Sequence, residues 1–224
     1  MEYEDKYSKF NDYKIFNKYN KYNDKDDKNT IILNEHFLFI QIPKTSSTTV
    51  LHCCKKQSLV TEMPCYRHEG LLYLENFIDN KLPVFAVVRN PFTQIFSYFF
   101  HRIKYKELIL DNNLSLKENF ENYVVKEINN NHLRQCDYIR TKKRISVFLI
   151  KFEDKNIIEI LNSKFNLNFL NQKINNNDIP EYIEAKKNIK SFFENPDIVK
   201  LILTERKKEF ELFGYSKDVN DISI

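Results

Sequence analysis

Two short apolar runs, each followed at once by a polar loop and then by a helical pattern, constrain the fold of this chain most. The first run, FLFIQI, occupies residues 37–42, and the second, VFAVV, occupies residues 84–88. A third apolar run, ISVFLI, occupies residues 145–150. Runs this short and continuous are typical of strands buried on both faces of a parallel sheet. Because helical patterns separate the runs, the sequence predicts an α/β fold with a mostly parallel sheet flanked by helices.

The helical patterns have recognisable starts and stops. Pro91 follows the second strand and suits the first turn of a helix. Asn195 and Pro196 have the residue types of an N-cap and a first helical residue, and Gly214 has that of a stop. Apolar spacing predicts helices over 49–56, 92–110, 155–165 and 195–214, and helical structure within 116–138.

The length of 224 residues suits one ordinary domain with a sizeable core. Residues 1–30 are rich in Tyr, Lys, Asp and Asn, which predicts a polar N-terminal extension ahead of one domain over 31–224. The formal net charge of +4, from 35 basic and 31 acidic residues, gives no reason to expect nucleic acid as a partner. No apolar run approaches the roughly 20 residues that span a bilayer, and no signal peptide is recognisable. We therefore expect a soluble, cytoplasmic protein without a membrane span.

The four cysteines give no clear metal signature. Cys53, Cys54, Cys65 and Cys136 form no CxxC pair, so free thiols are the expected state. A zinc site built from Cys65, His68 and a helix cysteine would have a spacing unlike any standard ligand set. We therefore expect no metal to be required.

The loop after the first strand, PKTSSTT at residues 43–49, has the residue types of a phosphate site. Backbone N–H groups and the positive end of the helix dipole favour a phosphate, and the hydroxyls can donate further hydrogen bonds. Lys44 adds a mobile positive charge. This lysine stands early in the loop, whereas GxxxxGK[ST] of nucleoside triphosphatases places it immediately before the Ser or Thr. A polar loop that merely caps a helix is the alternative interpretation.

An early lysine with hydroxyl residues behind it resembles the 5′-phosphosulfate loop of PAPS-dependent sulfotransferases, PKTGGTS or PKTAGTS. This chain carries Ser46 and Ser47 where Gly and other small residues are usual. The segment VVRNPFTQIFSY at residues 87–98 is similar to the 3′-phosphate segment of the same family, RNPxxRxxSxY. Arg89 and Ser97 match that segment, and Gln94 replaces its second Arg. Physically, Arg89 can donate two N–H groups to a phosphate and Ser97 can add a hydroxyl.

The resemblance covers most of residues 35–215. Two further segments resemble the family: residues 148–154, FLIKFED, are similar to its LxxxYEDL segment, and residues 205–215, ERKKEFELFGY, are similar to its DxxLFGY segment. Residues 132–138, HLRQCDY, are similar to the HxxPQxxY stretch of carbohydrate-directed members. The resemblance implies a P-loop-like three-layer sandwich. It also implies sulfuryl transfer from PAPS to an acceptor hydroxyl, with PAP as product. A glycan acceptor is preferred over a small alcohol or a protein tyrosine. The implied donor-binding residues are Pro43, Lys44, Thr45, Ser46, Ser47, Thr48, Thr49, Arg89 and Ser97.

The resemblance places Lys44 near the bridging oxygen of the donor, and it leaves the catalytic base open. His68 is preferred because imidazole titrates near neutral pH and its segment lies between the two phosphate strands. Glu69 is the direct competitor, and a loop histidine without catalytic function is an equal alternative for His68. His101 and His132 are weaker candidates.

Two other functions stay open. A P-loop kinase or phosphotransferase would share the strand, loop and helix, but the chain lacks GK[ST] and carries Arg89-Asn90-Pro91. The second alternative is a non-catalytic descendant of the sulfotransferase family that only binds PAP or PAPS. It stays open because Gln94 and the Gly-free loop depart from the family pattern.

Overall fold

The computed structural model describes residues 30–58, 60–62, 68–79, 81–129, 134–154, 156–165, 168–169 and 179–222. The predicted polar extension, apart from Thr30, lies outside the described residues, as do Cys65 and His132.

The described residues form strands and helices in alternation. The strands are β1 (Thr30–Leu33), β2 (Leu38–Ile40), β3 (Thr61–Glu62), β4 (Val84–Val88) and β5 (Val147–Lys151). The α-helices are α1 (Ser47–Lys56), α2 (Leu71–Leu74), α3 (Pro91–Lys104), α4 (Leu116–Glu127), α5 (Gln135–Tyr138), α6 (Ile157–Phe165), α7 (Pro180–Lys187), α8 (Pro196–Glu205) and α9 (Lys207–Phe213). Short 3₁₀ helices cover Phe152–Asp154, Ile189–Phe193 and Val219–Asp221.

The strands form one sheet in the order β3-β1-β2-β4-β5. Strand β4 runs parallel to both β2 and β5, and Phe85 lies between Phe39 and Phe148 in register. Strand β1 pairs antiparallel with β2 and β3. The predicted α/β class with parallel central strands is confirmed, while β1 and β3 extend one side of the sheet in a way the sequence analysis did not predict.

Side chains on the two faces of the sheet enter separate cores. On one face, Phe39 and Phe85 pack with Val50 of α1 and Leu161 of α6. On the other face, β2 and β4 pack with α2, Tyr138 and the end of α9. A third core surrounds α3, whose residues Pro91–Phe100 are all buried. Because β4 is buried along its whole length, it fixes the position of the loop that follows it.

Two predicted helices were wrong in extent. The helix predicted over 92–110 ends at Lys104, because Lys106 adopts a left-handed φ of 57°. The helix predicted over 195–214 is divided into α8 and α9 at Arg206, whose buried guanidinium donates to the carbonyl of Ile128. The stop at Gly214 is confirmed, since its φ is 62°.

Helical structure within 116–138 is described as two separate helices, α4 and α5. In the part of the chain that the structure describes, no helix has both the length and the apolar character needed to cross a bilayer.

Candidate functional site

The loop between β2 and α1 has an unusual backbone for residues other than glycine. Lys44 and Ser46 both have left-handed backbones, with φ of 63° and 70°. Such conformations cost of order 1 kcal/mol each in L-residues and often occur at functional sites. Thr45 lies between them, fully buried, and its hydroxyl donates to the carbonyl of Ile42 at 2.9 Å. This bond stabilises the turn that brings the chain from the strand into the helix.

The first turn of α1 has neither a side-chain cap nor an acidic residue. Ser46 is the N-cap residue, but its hydroxyl makes no capping hydrogen bond. Helix starts normally satisfy some of their N–H groups in that way and favour a nearby negative charge. Ser47 is buried, whereas Thr48 and Thr49 are half-buried. A helix start without a side-chain cap or an acidic residue is the kind that favours a bound anion.

Arg89, at the end of β4, extends its side chain to the first loop. Its Nη1 donates to the carbonyl of Lys44 at 3.2 Å, and its Nε donates to the Thr93 hydroxyl at 2.9 Å. The guanidinium carbon lies 4.2 Å from the ring centre of Phe152. The two loops that the sequence analysis assigned to two phosphates are therefore in direct contact.

The guanidinium of Arg89 is buried, with 4% of the residue exposed. Burial lowers the pKa of Arg89, while nearby Tyr182 and Glu153 favour its charged form. Its Nη2 is buried and makes no hydrogen bond of ordinary geometry within the described residues. The Tyr182 side chain also hydrogen-bonds to this guanidinium, so the protein itself offsets part of the cost of burying the cation.

Gln135 holds the backbone of Arg89 in place. Its side-chain oxygen accepts from the Arg89 N–H at 2.8 Å, and its side-chain nitrogen donates to the Arg89 carbonyl at 2.7 Å. Gln135 is fully buried. The sequence analysis noted the segment around Gln135 but did not predict that its side chain would bond to the backbone of Arg89. The local sequence offered only a polar residue at the start of a short helix.

A half-buried carboxylate supports the same strand end from the C-terminal side. Glu153 accepts from the Asn90 N–H at 3.1 Å and from the Tyr215 hydroxyl at 2.7 Å. Burial, followed by the adjacent Glu153 carboxylate, raises the pKa of Tyr215. The segments FLIKFED and ERKKEFELFGY thus meet beneath Arg89-Asn90.

Helix α3 contacts the first loop through one of its faces. Gln94, Ser97 and His101 are three and four residues apart, which places them on one side of the helix. Gln94 is fully buried and donates from Nε2 to the carbonyl of Pro43 at 3.2 Å. Ser97 is also buried. The residue that replaces the second Arg of the 3′-phosphate segment is therefore used to hold the loop.

The candidate catalytic side chains lie beside the same loop. Lys44 Nζ is 3.3 Å from Nδ1 of His101. His68 Nδ1 lies 2.5 Å from the carbonyl of Gln41, to which it donates, since a carbonyl can only accept. His68 also contributes, after burial and Lys44, to the lowered pKa of His101. Lys44, His68 and His101 thus form one cluster at the end of β2.

Glu69, the competing base, is half-buried next to His68. Burial raises the pKa of its carboxyl, and the Gly70 N–H, which donates to it at 3.2 Å, opposes the rise.

Other features lie apart from this site. Cys53 and Cys54 are buried free thiols on α1, and within the described ranges no group of three or more His, Cys, Asp or Glu residues could hold a metal. A groove of about 620 Å³ lies along α8, lined by Phe193, Val199, Leu203 and several lysines, away from both loops.

Comparisons with known proteins do not assign the chain to a class. No family model, no curated protein and no solved structure matches it.

Proposed function

We propose that the protein is a sulfotransferase that binds PAPS and transfers its sulfuryl group to an acceptor hydroxyl, on a P-loop-like three-layer sandwich. The observation that carries the proposal is the hydrogen bond from Arg89 Nη1 to the carbonyl of Lys44. It joins the two segments that resemble the 5′-phosphosulfate loop and the 3′-phosphate segment of that family. A separate site for a 3′-phosphate is what would distinguish PAPS from ATP.

The 5′-phosphosulfate would bind at the start of α1. The uncapped first turn and the hydroxyls of Thr48 and Thr49 provide donors for it, and the positive-φ residues Lys44 and Ser46 shape the loop around that helix start. The 3′-phosphate would bind to Arg89 and Ser97, whose guanidinium and hydroxyl can donate hydrogen bonds to phosphate oxygens.

In the proposed reaction, the bond from sulfur to the phosphate oxygen of PAPS breaks and a new bond forms from sulfur to the acceptor oxygen. PAP leaves with the electron pair of the broken bond, and the acceptor proton passes to a base. Lys44 would stabilise the charge that grows on the leaving phosphate.

The geometry of His68 supports it as that base. Because Nδ1–H is donated to the carbonyl of Gln41, the neutral ring carries its lone pair on Nε2. A hydrogen bond that fixes the tautomer in this way also orients the histidine of catalytic triads. Glu69 is the alternative, since its raised pKa also suits proton transfer.

The glycan acceptor rests on the resemblance alone. Gln135 belongs to the stretch that is similar to HxxPQxxY, but it bonds to the backbone of Arg89. That stretch therefore supports the donor site and makes no described contact with an acceptor.

Ligand-induced thermal stabilisation tests the donor site first. At saturating PAP we expect the melting temperature to rise by about 5–10 °C, as about 2–3 kcal/mol of binding energy gives in a domain of this size. Adenosine 5′-monophosphate, which differs from PAP only by lacking the 3′-phosphate, is the matched control and should stabilise much less. Stabilisation by ATP with Mg²⁺ but not by PAP would instead favour a phosphotransferase.

Turnover is tested separately with labelled PAPS and a panel of glycans, small alcohols and tyrosine peptides. Transfer by the wild type and its loss in Lys44→Ala would support the proposed reaction. Wild-type transfer by Lys44→Ala would contradict the role of Lys44.

One observation favours a second candidate, a non-catalytic module that binds PAP or PAPS. Gln94 puts a neutral, fully buried amide where the family has a second Arg, and that amide is bonded to Pro43. Stabilisation by PAP without turnover on any acceptor would support this candidate.

A further inference from the structure

The contact between Lys44 and His101 is not explained by phosphate binding. The two atoms, Nζ and Nδ1, are 3.3 Å apart although the residues are 57 positions apart in the chain. An ammonium group can only donate hydrogen bonds. Nδ1 of His101 is therefore the acceptor, and the neutral ring carries its proton on Nε2.

His101 is held in place by a rigid element. Helix α3 is buried over Pro91–Phe100, and its Ser97 and Gln94 lie on the same face as His101, one and two turns before it. The ring of His101 packs against Tyr105 at 4.6 Å and Tyr98 at 6.0 Å between centres. The acceptor atom thus belongs to the core helix rather than to the loop.

We infer that His101 is a positioning residue that holds the Lys44 ammonium at the sheet edge where the two phosphate loops meet. This inference rests on the proposed role of Lys44 in sulfuryl transfer. A lysine side chain has four rotatable bonds, and a fixed acceptor restricts them to the conformations that reach it. Small displacements of a group that stabilises developing charge lower the rate steeply.

The surroundings of His101 keep its ring neutral, as an acceptor must be. Burial and then the positive charge of Lys44 lower its pKa to about 3. The other groups that face it are His68, from the segment before α2, and Lys104 and Arg102, from α3 itself, and all of them act in the same direction.

The activity test compares two substitutions of His101. Asn places an acceptor oxygen near the position of Nδ1, whereas Leu fills similar space without one. We expect His101→Leu to lower kcat of sulfate transfer by about 10- to 100-fold and to change the Kd of PAP by less than about threefold. His101→Asn should keep kcat within about threefold of the wild type. His36→Leu, at an exposed turn, is the control for general effects of removing a histidine.

A wild-type kcat for His101→Leu would overturn the inference. Equal losses in the Leu and Asn variants would also overturn it, because the ring would then matter only for packing.

A second measurement does not depend on turnover. Nitrogen-15 NMR of labelled histidines, with His101 assigned by its loss in the Asn variant, follows its titration in the wild type and in Lys44→Met. Removal of the adjacent positive charge should raise the pKa of His101 by at least about half a unit. An unchanged pKa of His101 in Lys44→Met would overturn the inferred contact between the two side chains. This measurement does not require PAP binding, so it stays informative if the sulfotransferase proposal fails.

Discussion

The β2–α1 unit and the β4–α3 unit bring two helix starts to the same edge of the sheet, but they satisfy those starts differently. Helix α3 is capped by the side chain of Asn90, begins with Pro91 and is buried over its first ten residues, Pro91–Phe100. Helix α1 has no side-chain cap and follows two residues, Lys44 and Ser46, with left-handed backbones. The α3 start is therefore satisfied by its own residues, whereas the α1 start combines a strained backbone with the lack of a side-chain cap, a combination often found at functional sites.

Arg89 connects the two units and combines both characters. Its backbone is held by Gln135 beside its own strand, while its buried guanidinium reaches the carbonyl of Lys44 in the first loop. Substitutions in the two units should therefore change different measured quantities.

The largest effect is expected in the core of the α3 unit. Phe96 is fully buried, and its ring lies 4.9 Å from that of Phe100 and 5.2 Å from that of Phe192. Phe96→Ala should lower the free energy of unfolding by about 3–5 kcal/mol, because it leaves a cavity among aromatic rings. Urea denaturation measures this loss. Val125→Ala, at a residue 59% exposed, is the control, and a loss below about 1 kcal/mol for Phe96→Ala would contradict the supporting role of α3.

Arg89→Met should separate binding from stability. Loss of the guanidinium should weaken PAP binding by about 30-fold, or about 2 kcal/mol, since it removes a charged hydrogen bond to phosphate. The ligand-free protein should lose only about 1–2 kcal/mol of stability, because relief from a buried charge offsets part of the loss of the hydrogen bonds to Lys44 and Thr93. Calorimetric titration and urea denaturation measure the two quantities.

The control for Arg89→Met is Arg140→Met, because the Arg140 side chain is 71% exposed. A variant at Arg89 that binds PAP normally would remove Arg89 from the proposed site. A large loss of stability without ligand would make Arg89 a structural residue.

A smaller effect is expected at the cap of α3. The Asn90 side chain accepts from the Phe92 N–H at 3.0 Å. Asn90→Ala should lower the free energy of unfolding by about 1 kcal/mol, the usual cost of losing an N-cap. Thermal denaturation measures this loss, with Asn112→Ala, on an exposed turn, as the control. Equal stabilities of the two variants would mean that the Asn90 side chain does not stabilise the start of α3.

The sequence predicted the parts of the fold that depend on local pattern. Strand β4 lies at residues 84–88 as predicted, because five consecutive buried residues leave little ambiguity. Strand β3 has only two residues, and it pairs with β1 through backbone bonds that no local pattern specifies. The extents of α3 and α8 were wrong because Lys106 and Arg206 interrupt an apolar spacing that otherwise continues.

The same distinction holds for the candidate site. Lys44 and Arg89 stand at strand ends, so a parallel sheet brings them to one edge, and the structure does join them. The partners of those residues, Gln135 and His101, come from distant segments, and only the tertiary structure brings them there. The spacing of Gln94, Ser97 and His101 was a signal that could have placed His101 beside the first loop.

The smallest expected effect has the opposite sign and concerns the backbone of the α1 loop. Ser46 has φ 70° and ψ 14°, and its hydroxyl makes no capping bond, so glycine would relieve the strain without losing a contact to the helix. Ser46→Gly should raise the free energy of unfolding by about 0.5 kcal/mol, because part of the gain is offset by the greater freedom of glycine in the unfolded chain. The control is Ser115→Gly, at the cap of α4, where the side-chain half of a capping box is lost and stability should fall by a few tenths of a kcal/mol. A loss of stability in Ser46→Gly would mean that its side chain supports the loop, and the contrast between a strained α1 start and a satisfied α3 start would then fail.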